Sequence, residues 1–170
     1  MLLLAVEPVL AAAFFTFGTR AGSLGLAEIA TGVAQAGFAP SLLVGALAAF
    51  LAIQAESAKL PFDVAEAETE IIGGPYVEYS GPSLAAFEWA LMVRRVVLAS
   101  FLVALLGACP AGAPVWLSAL LHPIKVLVVL VLTELVAVLS PRLRIRQAIR
   151  FYEGAGLLAV AGLLVAIFGF

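Results

Sequence analysis

The chain has 170 residues, of which 64% are hydrophobic and 12% charged, and its mean hydropathy is +1.17. Soluble domains are usually about 45–50% apolar and about 25% charged, so this composition predicts an integral membrane protein. The net charge of −2 excludes a general basic surface for nucleic acid. A lone cysteine, Cys109, and a lone histidine, His122, exclude a disulfide framework and a His-rich metal site within this chain.

Five apolar stretches come close to the roughly 20 residues that a helix needs to cross a membrane. They cover residues 2–18, 40–57, 83–107, 114–139 and 152–170. We therefore predict an all-α fold, a polytopic transmembrane helix bundle of about five spans that forms a single domain over residues 1–170. The Gly-rich residues 19–39 predict a short surface helix between the first two spans.

The first stretch is barely long enough for a span, and it starts abruptly. It has no positively charged leader, and Glu7-Pro8 interrupts the apolar core that a signal peptide needs. We therefore expect a retained span and missing N-terminal helices.

Two polar loops orient the predicted bundle. Residues 58–82 are acidic, whereas residues 141–150 hold four arginines, namely Arg142, Arg144, Arg146 and Arg150. Short loops rich in arginine stay on the cytoplasmic side of a membrane. Because two spans separate the loops, we expect both to be cytoplasmic and the connection near residues 109–113 to face outward.

Six charged residues lie within the predicted spans: Glu7, Glu88, Arg94, Arg95, Lys125 and Glu134. A charge at the bilayer centre costs about 2.5–3.5 kcal/mol on insertion scales, so such residues usually face a bundle interior and mark proton or ion paths. Alternatively, Arg94, Arg95 and Lys125 reach the interface with their long side chains. Glu88 and Arg95 are two turns apart on one helical face, where a pair between them would be either functional or structural.

Two further positions have alternative interpretations. Glu7 precedes Pro8, which either opens a longer helix beside an ionisable group or marks the first turn of a helix. His122 before Pro123 is either a proton relay or, more often in such a position, a residue with a structural hydrogen bond.

The acidic loop contains a predicted helix start, with Asp63 as N-cap and Glu66 at the capping-box spacing. Glu70 falls on the same helical face, so three carboxylates crowd together there. Such crowding favours proton exchange if the site is shielded, but a solvated acidic face that binds a basic partner is an equal alternative. No nucleotide-binding loop, nucleophile elbow or metal-ligand spacing is present in the sequence, so no catalytic residue and no metal site are predicted.

Several segments resemble one family of membrane proteins. Residues 56–70 read ESAKLPFDVAEAETE and residues 77–81 read VEYSG. They resemble the signature loop of the membrane-subunit family that respiratory complex I shares with energy-converting nickel-iron hydrogenases, which is roughly P-F-D-x-x-E-x-x-[ST]-E followed by E-[YF]-S. The segments AVEP at 5–8, FEW at 87–89 and RLRI at 142–145 agree with the family in the same order.

The resemblance is closest to the hydrogenase membrane subunits, because Glu134 precedes the RLRI segment and Phe151-Tyr152 follows it. It implies a non-catalytic membrane anchor in a prokaryotic plasma membrane that couples redox chemistry to proton or sodium translocation. Its partners would be the hydrogenase large and small subunits, antiporter-like membrane subunits and the lipid bilayer. The nickel-iron centre and iron-sulfur clusters would lie on the partners, with no cofactor in this chain.

The resemblance also implies roles for individual residues. Glu7, Glu88 and Glu134 would belong to the intramembrane path. The contact beneath the redox arm would comprise Asp63, Glu66, Glu68, Glu70, Glu78, Tyr79, Arg142 and Arg144.

The chain departs from the family in two ways. Arg146 stands where the family usually has Asp, and family chains are longer by roughly three N-terminal helices. Three alternatives to the hydrogenase role are the equivalent subunit of a quinone-reducing complex I, a free-standing ion or solute transporter, and an inert scaffold. The odd number of spans and the absence of an evident repeat count against the transporter.

Overall fold

The computed structural model describes residues 2–37, 39–57, 79–107, 114–141, 143 and 145–169. These residues form six α-helices, and no strand occurs among them. The helices are α1 (Leu2–Ala21), α2 (Leu26–Ala36), α3 (Pro40–Glu56), α4 (Pro82–Leu105), α5 (Val115–Leu139) and α6 (Ile145–Ile167). The predicted fold class, an all-α membrane helix bundle, is confirmed.

Prolines mark the start of two helices and interrupt two others. Pro40 and Pro82 occupy the first turns of α3 and α4, where the missing N–H costs nothing. Pro8 and Pro123 lie inside α1 and α5, so each removes one hydrogen bond between turns. Because α1 continues through Pro8, the alternative in which this proline marks the first turn is wrong.

The helices α1, α3 and α6 pack together most extensively, and we call them the three-helix unit. Small residues bring their backbones close, as is common between membrane helices. A Cβ added at Gly45 would lie 3.1 Å from Cγ2 of Thr16, and one added at Gly162 would lie 3.1 Å from Cγ1 of Val44. The core of this unit includes Val6, Ala13, Ala52, Ile53 and Ala159.

The surface helix predicted within residues 19–39 is present as α2, which packs against α1 and α4. The axes of α1 and α2 differ by 59°. Gly22 follows α1 with a φ of +70°, a conformation that residues with a side chain rarely adopt. This glycine therefore permits the sharp change of direction after α1.

The helices α4 and α5 pack along each other, and α4 joins the rest of the chain through α2 and α3. We call them the α4–α5 pair. Their outer faces carry large exposed apolar side chains, including Trp89, Trp116, Leu127 and Val138, whose exposed fractions are 73%, 69%, 61% and 81%. An apolar surface of this extent is of the kind that lipid or neighbouring membrane helices cover.

Fewer helices qualify as membrane spans than the five predicted. By length and composition, α5 and residues Arg146–Ile167 of α6 each suffice to cross a membrane, and the bent pair α1–α2 makes a third if it counts as one span. The 17 residues of α3 are short for a span. The 24 residues of α4 are long enough for a span. However, every 18-residue window of this helix contains three charged residues, Glu88, Arg94 and Arg95, so α4 is too charged to qualify.

The last helix begins earlier than predicted, at Ile145 rather than near Tyr152. Arg146 and Arg150 therefore lie on the first turns of α6, and the predicted loop 141–150 is shorter than expected. The physical reason is that no glycine or proline follows Pro141 until Gly154, while arginine favours helix formation.

Candidate functional site

An ion pair joins α3 to α4 on the inside of the bundle. Nη2 of Arg94 donates to Oε1 of Glu56, and the exposed fractions of the two side chains are 34% and 17%. Oε2 of Glu56 is buried and has no hydrogen-bond partner among the described residues. Tyr152 on α6 is buried and close enough to interact electrostatically with Glu56. One carboxylate is thus held where α3, α4 and α6 meet, with one oxygen available to a further donor.

A second polar contact joins α3 to α5, and it starts from Gln54, two residues before Glu56. Gln54 is 4% exposed, and its Nε2 donates to the backbone carbonyl of Thr133 at 3.1 Å. The hydroxyl of Thr133 donates to the carbonyl of Leu130 at 2.7 Å. Glu134 is the next residue of α5, so this contact fixes its position relative to α3. We call Gln54, Glu56, Arg94 and Tyr152 the Glu56 cluster.

Another group of polar side chains lies between α4 and α5. Nε2 of His122 and Oγ of Ser100 are hydrogen-bonded at 2.9 Å, and both residues are half-buried. Nζ of Lys125, one turn along α5 from His122, donates to the carbonyl of Gly107 at 3.2 Å. We call these four residues the His122 cluster. Along α5, Lys125 is about 12 Å from Thr133, and the intervening Val126 and Val129 are buried.

The three carboxylates of the predicted intramembrane path lie on three different helices. Glu7 is on α1, Glu88 on α4 and Glu134 on α5, and each is exposed at the surface of the chain. Their expected position inside the bundle is therefore not found within this chain. Among the described helices, Glu56 is a half-buried carboxylate that the prediction did not include, with a fully buried Oε2.

The predicted link between Glu88 and Arg95 is also replaced. Arg94, one position earlier, forms the ion pair with Glu56, because the 100° step between adjacent helix residues points it at α3. Nε of Arg95 is buried and has no hydrogen-bond partner among the described residues. The side chain of Arg94 thus pairs with Glu56 while about a third of it stays exposed.

Most residues of the predicted contact beneath the redox arm lie outside the described residues, namely Asp63, Glu66, Glu68, Glu70, Glu78, Arg142 and Arg144. Tyr79 is described, and its exposed ring stacks at a tilt of 57° against Phe87, with the ring centroids 4.7 Å apart. This contact attaches the end of the 58–82 segment to the first turns of α4. In the described part of the chain, no group of three or more His, Cys, Asp or Glu side chains is placed to hold a metal ion.

The sequence interpretation missed Glu56 and Gln54 as site residues. Glu56 stands at the start of the segment that carries the family resemblance. It also lies at the end of a predicted span, where a charged residue is expected in the water-exposed interface and does not indicate a site. Gln54 lies in the otherwise apolar stretch 47–55, where an uncharged amide among alanines was the available signal. A buried amide needs a hydrogen-bond partner, so its position already indicated a contact with another helix.

Comparison with known proteins identifies the family. The model of the NADH dehydrogenase family matches residues 1–168. The chain belongs to this family. The resemblance seen in the 56–81 segment is thereby confirmed.

Three relatives illustrate the range of the family. Hydrogenase-4 component C of Escherichia coli is 41% identical over 59% of this chain and 32% of its own length. Formate hydrogenlyase subunit 4 of the same organism is 33% identical over 61% of this chain and 34% of its own length. An NADH-quinone oxidoreductase subunit of Dehalococcoides mccartyi strain 195 is 35% identical over 76% of this chain and 36% of its own length. The chain thus matches about a third of the length of each relative.

Proposed function

We propose that this chain is the membrane-anchor and ion-coupling subunit of an energy-converting nickel-iron hydrogenase-type complex. It links redox chemistry in a peripheral arm to proton or sodium translocation across a prokaryotic plasma membrane. The observation that carries the proposal is the half-buried Glu56–Arg94 pair between α3 and α4, in which Glu56 ends α3 just before the 58–82 segment. A charged pair at such a position gives electrical events in the arm a short route into the membrane helices.

The type of complex in this proposal is inferred from the relatives of the chain. Hydrogenase-4 component C and formate hydrogenlyase subunit 4 support a hydrogenase-type assembly, whose large and small subunits would bind the cytoplasmic loops beside antiporter-like membrane subunits. The nickel-iron centre and iron-sulfur clusters of those partners would supply the electron transfer. A quinone-reducing complex I is the second candidate, because the match to the NADH-quinone oxidoreductase subunit extends over a larger share of this chain.

The mechanism is electrostatic. A charge that arrives in the arm near Glu66 and Glu70 changes the potential at carboxylates a few ångströms away, and in a medium of low dielectric this interaction amounts to several kcal/mol. Protonation of Glu56 removes the charge that holds Arg94, so the ion pair has a closed and an open state. Glu7, Glu88 and Glu134 then continue the path at surfaces where other subunits pack.

The first test is to purify the intact complex gently from native membranes and to identify its subunits by mass spectrometry. We expect a nickel-containing large subunit and hydrogen evolution. Quinone reduction without nickel would move the chain to complex I, and recovery of the chain without partners would contradict both assignments.

The second test places the complex in vesicles and measures proton and sodium movement per hydrogen formed. Glu134→Gln removes one predicted path carboxylate, and we expect ion movement to fall by about tenfold or more while electron flux persists. Glu153→Gln is the matched control, because Glu153 is an exposed carboxylate on α6 outside the site. Normal ion movement in Glu134→Gln would refute the role of this residue.

A further inference from the structure

The His122 cluster is a polar group of the described helices that the proposed function does not use. His122 is the only histidine of the chain, and it is placed between α4 and α5 with its Nε2 hydrogen-bonded to Ser100 Oγ at 2.9 Å. An imidazole is the side chain whose ordinary titration falls between pH 5 and 8. A polar contact of two helices does not require a titratable group, since Ser and Thr side chains also make hydrogen bonds between membrane helices.

The position of the cluster along the helices differs from that of the Glu56 cluster. On α4, Ser100 follows Arg94 by about 9 Å, and Gly107 lies beyond the end of that helix. On α5, Lys125 and His122 precede Thr133. With the loops at 58–82 and 141–150 on the cytoplasmic side, the Glu56 cluster lies toward the cytoplasm and the His122 cluster toward the outside. On α5, the buried Val126 and Val129 lie between the His122 cluster and Thr133, which contacts the Glu56 cluster.

The charged groups around His122 are few. Lys125 lies on the same face of α5, where residues three apart are neighbours. On α4, the helix packed against α5, the charged residues are Glu88, Arg94 and Arg95, all of which precede Ser100 by five residues or more toward the cytoplasmic end. The outer half of the α4–α5 pair, as far as the structure describes it, therefore offers His122 and Lys125 as proton-carrying side chains.

We propose that His122 is a proton-carrying residue of the translocation path, placed in its outer half. The ring nitrogen that bears no hydrogen accepts a proton that comes from the side of the Glu56 cluster, and the ring becomes an imidazolium cation. The imidazolium then releases one proton to water on the outer side and returns to the neutral ring. Ser100 orients the ring and carries no net charge in either state. This inference rests on the proposed function and adds an exit to the path.

The test compares two variants in the intact complex in vesicles. His122→Gln keeps a hydrogen-bonding side chain beside Ser100 but cannot titrate, whereas Ser100→Ala removes the orienting hydroxyl and keeps the imidazole. We expect His122→Gln to lower the protons moved per electron pair by about tenfold and to abolish the pH dependence of that ratio. Ser100→Ala should lower the ratio less and retain that pH dependence.

A structural role would give a different result. Equal losses in both variants, with the pH dependence retained, would overturn the proposal in favour of a simple interhelical contact, and wild-type ratios in His122→Gln would also overturn it. A wild-type complex that moves no ions would instead overturn the proposed function. An independent measurement uses the full-length chain with ¹⁵N-labelled histidine in nanodiscs, where both ring-nitrogen signals come from His122 because the chain has one histidine. Ring-nitrogen signals that stay those of neutral imidazole at every pH at which the complex moves protons would contradict the proposal.

Discussion

The three-helix unit and the α4–α5 pair differ in the residues that form the contacts between their helices. In the three-helix unit, α1, α3 and α6 meet through alanines, valines and glycines, and its residues Ala13, Ala48 and Ala159 are completely buried. In the α4–α5 pair, the contacts between the two helices involve the polar side chains of Ser100, His122 and Lys125, and Arg94 of α4 pairs with Glu56 of α3. The outer faces of this pair are apolar and exposed, and an open groove of about 590 Å³ runs along α4 beside Trp89, Val93 and Val97.

The two regions therefore differ in the kind of contact that holds their helices together. Close backbone approach gives van der Waals packing that stabilises membrane helices without a hydrophobic driving force. Polar contacts in a low-dielectric interior depend strongly on charge and protonation, so they respond to events outside the membrane. The helices that these polar contacts join therefore pack less extensively than the helices of the three-helix unit.

The largest expected effect comes from breaking the ion pair that ties the two parts together. Arg94→Met leaves the Glu56 carboxylate without its partner, and we expect a loss of roughly 2–3 kcal/mol in the free energy of unfolding. This is below the usual cost for fully buried pairs because a third of the Arg94 side chain is exposed. Unfolding of the full chain in mixed micelles by increasing SDS measures the loss.

The double variant Glu56→Leu with Arg94→Met is the control for that experiment. It replaces both charges by apolar groups, so we expect most of the stability to return. If the single and double variants were equally unstable, the cost would come from packing of the Arg94 side chain rather than from the unpaired carboxylate.

An intermediate effect is expected from Gly162→Ala within the three-helix unit. The added Cβ would lie 3.1 Å from Cγ1 of Val44 and 3.4 Å from the backbone nitrogen of Gly45, so we expect a cost of about 1–2 kcal/mol from overpacking. Gly154→Ala on the same helix has nothing within 4 Å of its new Cβ and serves as the matched control. Similar melting temperatures for the two variants would show that α6 is not packed this tightly against α3.

The smallest effect is expected at the contact between α3 and α5. Gln54→Leu removes the donor to the Thr133 carbonyl, and hydrogen bonds between membrane helices average about 0.6 kcal/mol. The same unfolding assay, repeated with Gln35→Leu on the exposed surface of α2 as control, measures the difference. A loss several times larger would mean that Gln54 stabilises the whole Glu56 cluster and that the two parts are less independent than their packing indicates.

The sequence predicted the positions of the helices well where apolar runs ended at proline. Pro40 and Pro82 start α3 and α4 within one residue of the predicted boundaries. The start of α6 was missed because Arg146 and Arg150 read equally well as a charged loop and as the polar first turns of a helix. Length and charge signals alone do not separate these two cases.

The candidate site was predicted less well, for a physical reason. Composition identifies which residues are costly in a membrane, but the direction in which a side chain points depends on where neighbouring helices lie. The sequence marked Arg94 and Arg95 together, and the packing of α4 on α3 selects Arg94. Glu56 was overlooked because a charge at a helix end is ordinarily solvated, whereas here Arg94 of α4 pairs with it and its side chain is 17% exposed.

The three charges of α4 also bear on the biogenesis of the chain. Each central charge opposes entry of a lone helix into the bilayer by about 2.5–3.5 kcal/mol, whereas α5 is apolar along most of its length. The bonds from His122 to Ser100 and from Lys125 to Gly107 join the two helices on either side of their connecting segment. We therefore expect α4 to enter the bilayer together with α5, as a helical hairpin. This insertion would follow the synthesis of both helices by the ribosome.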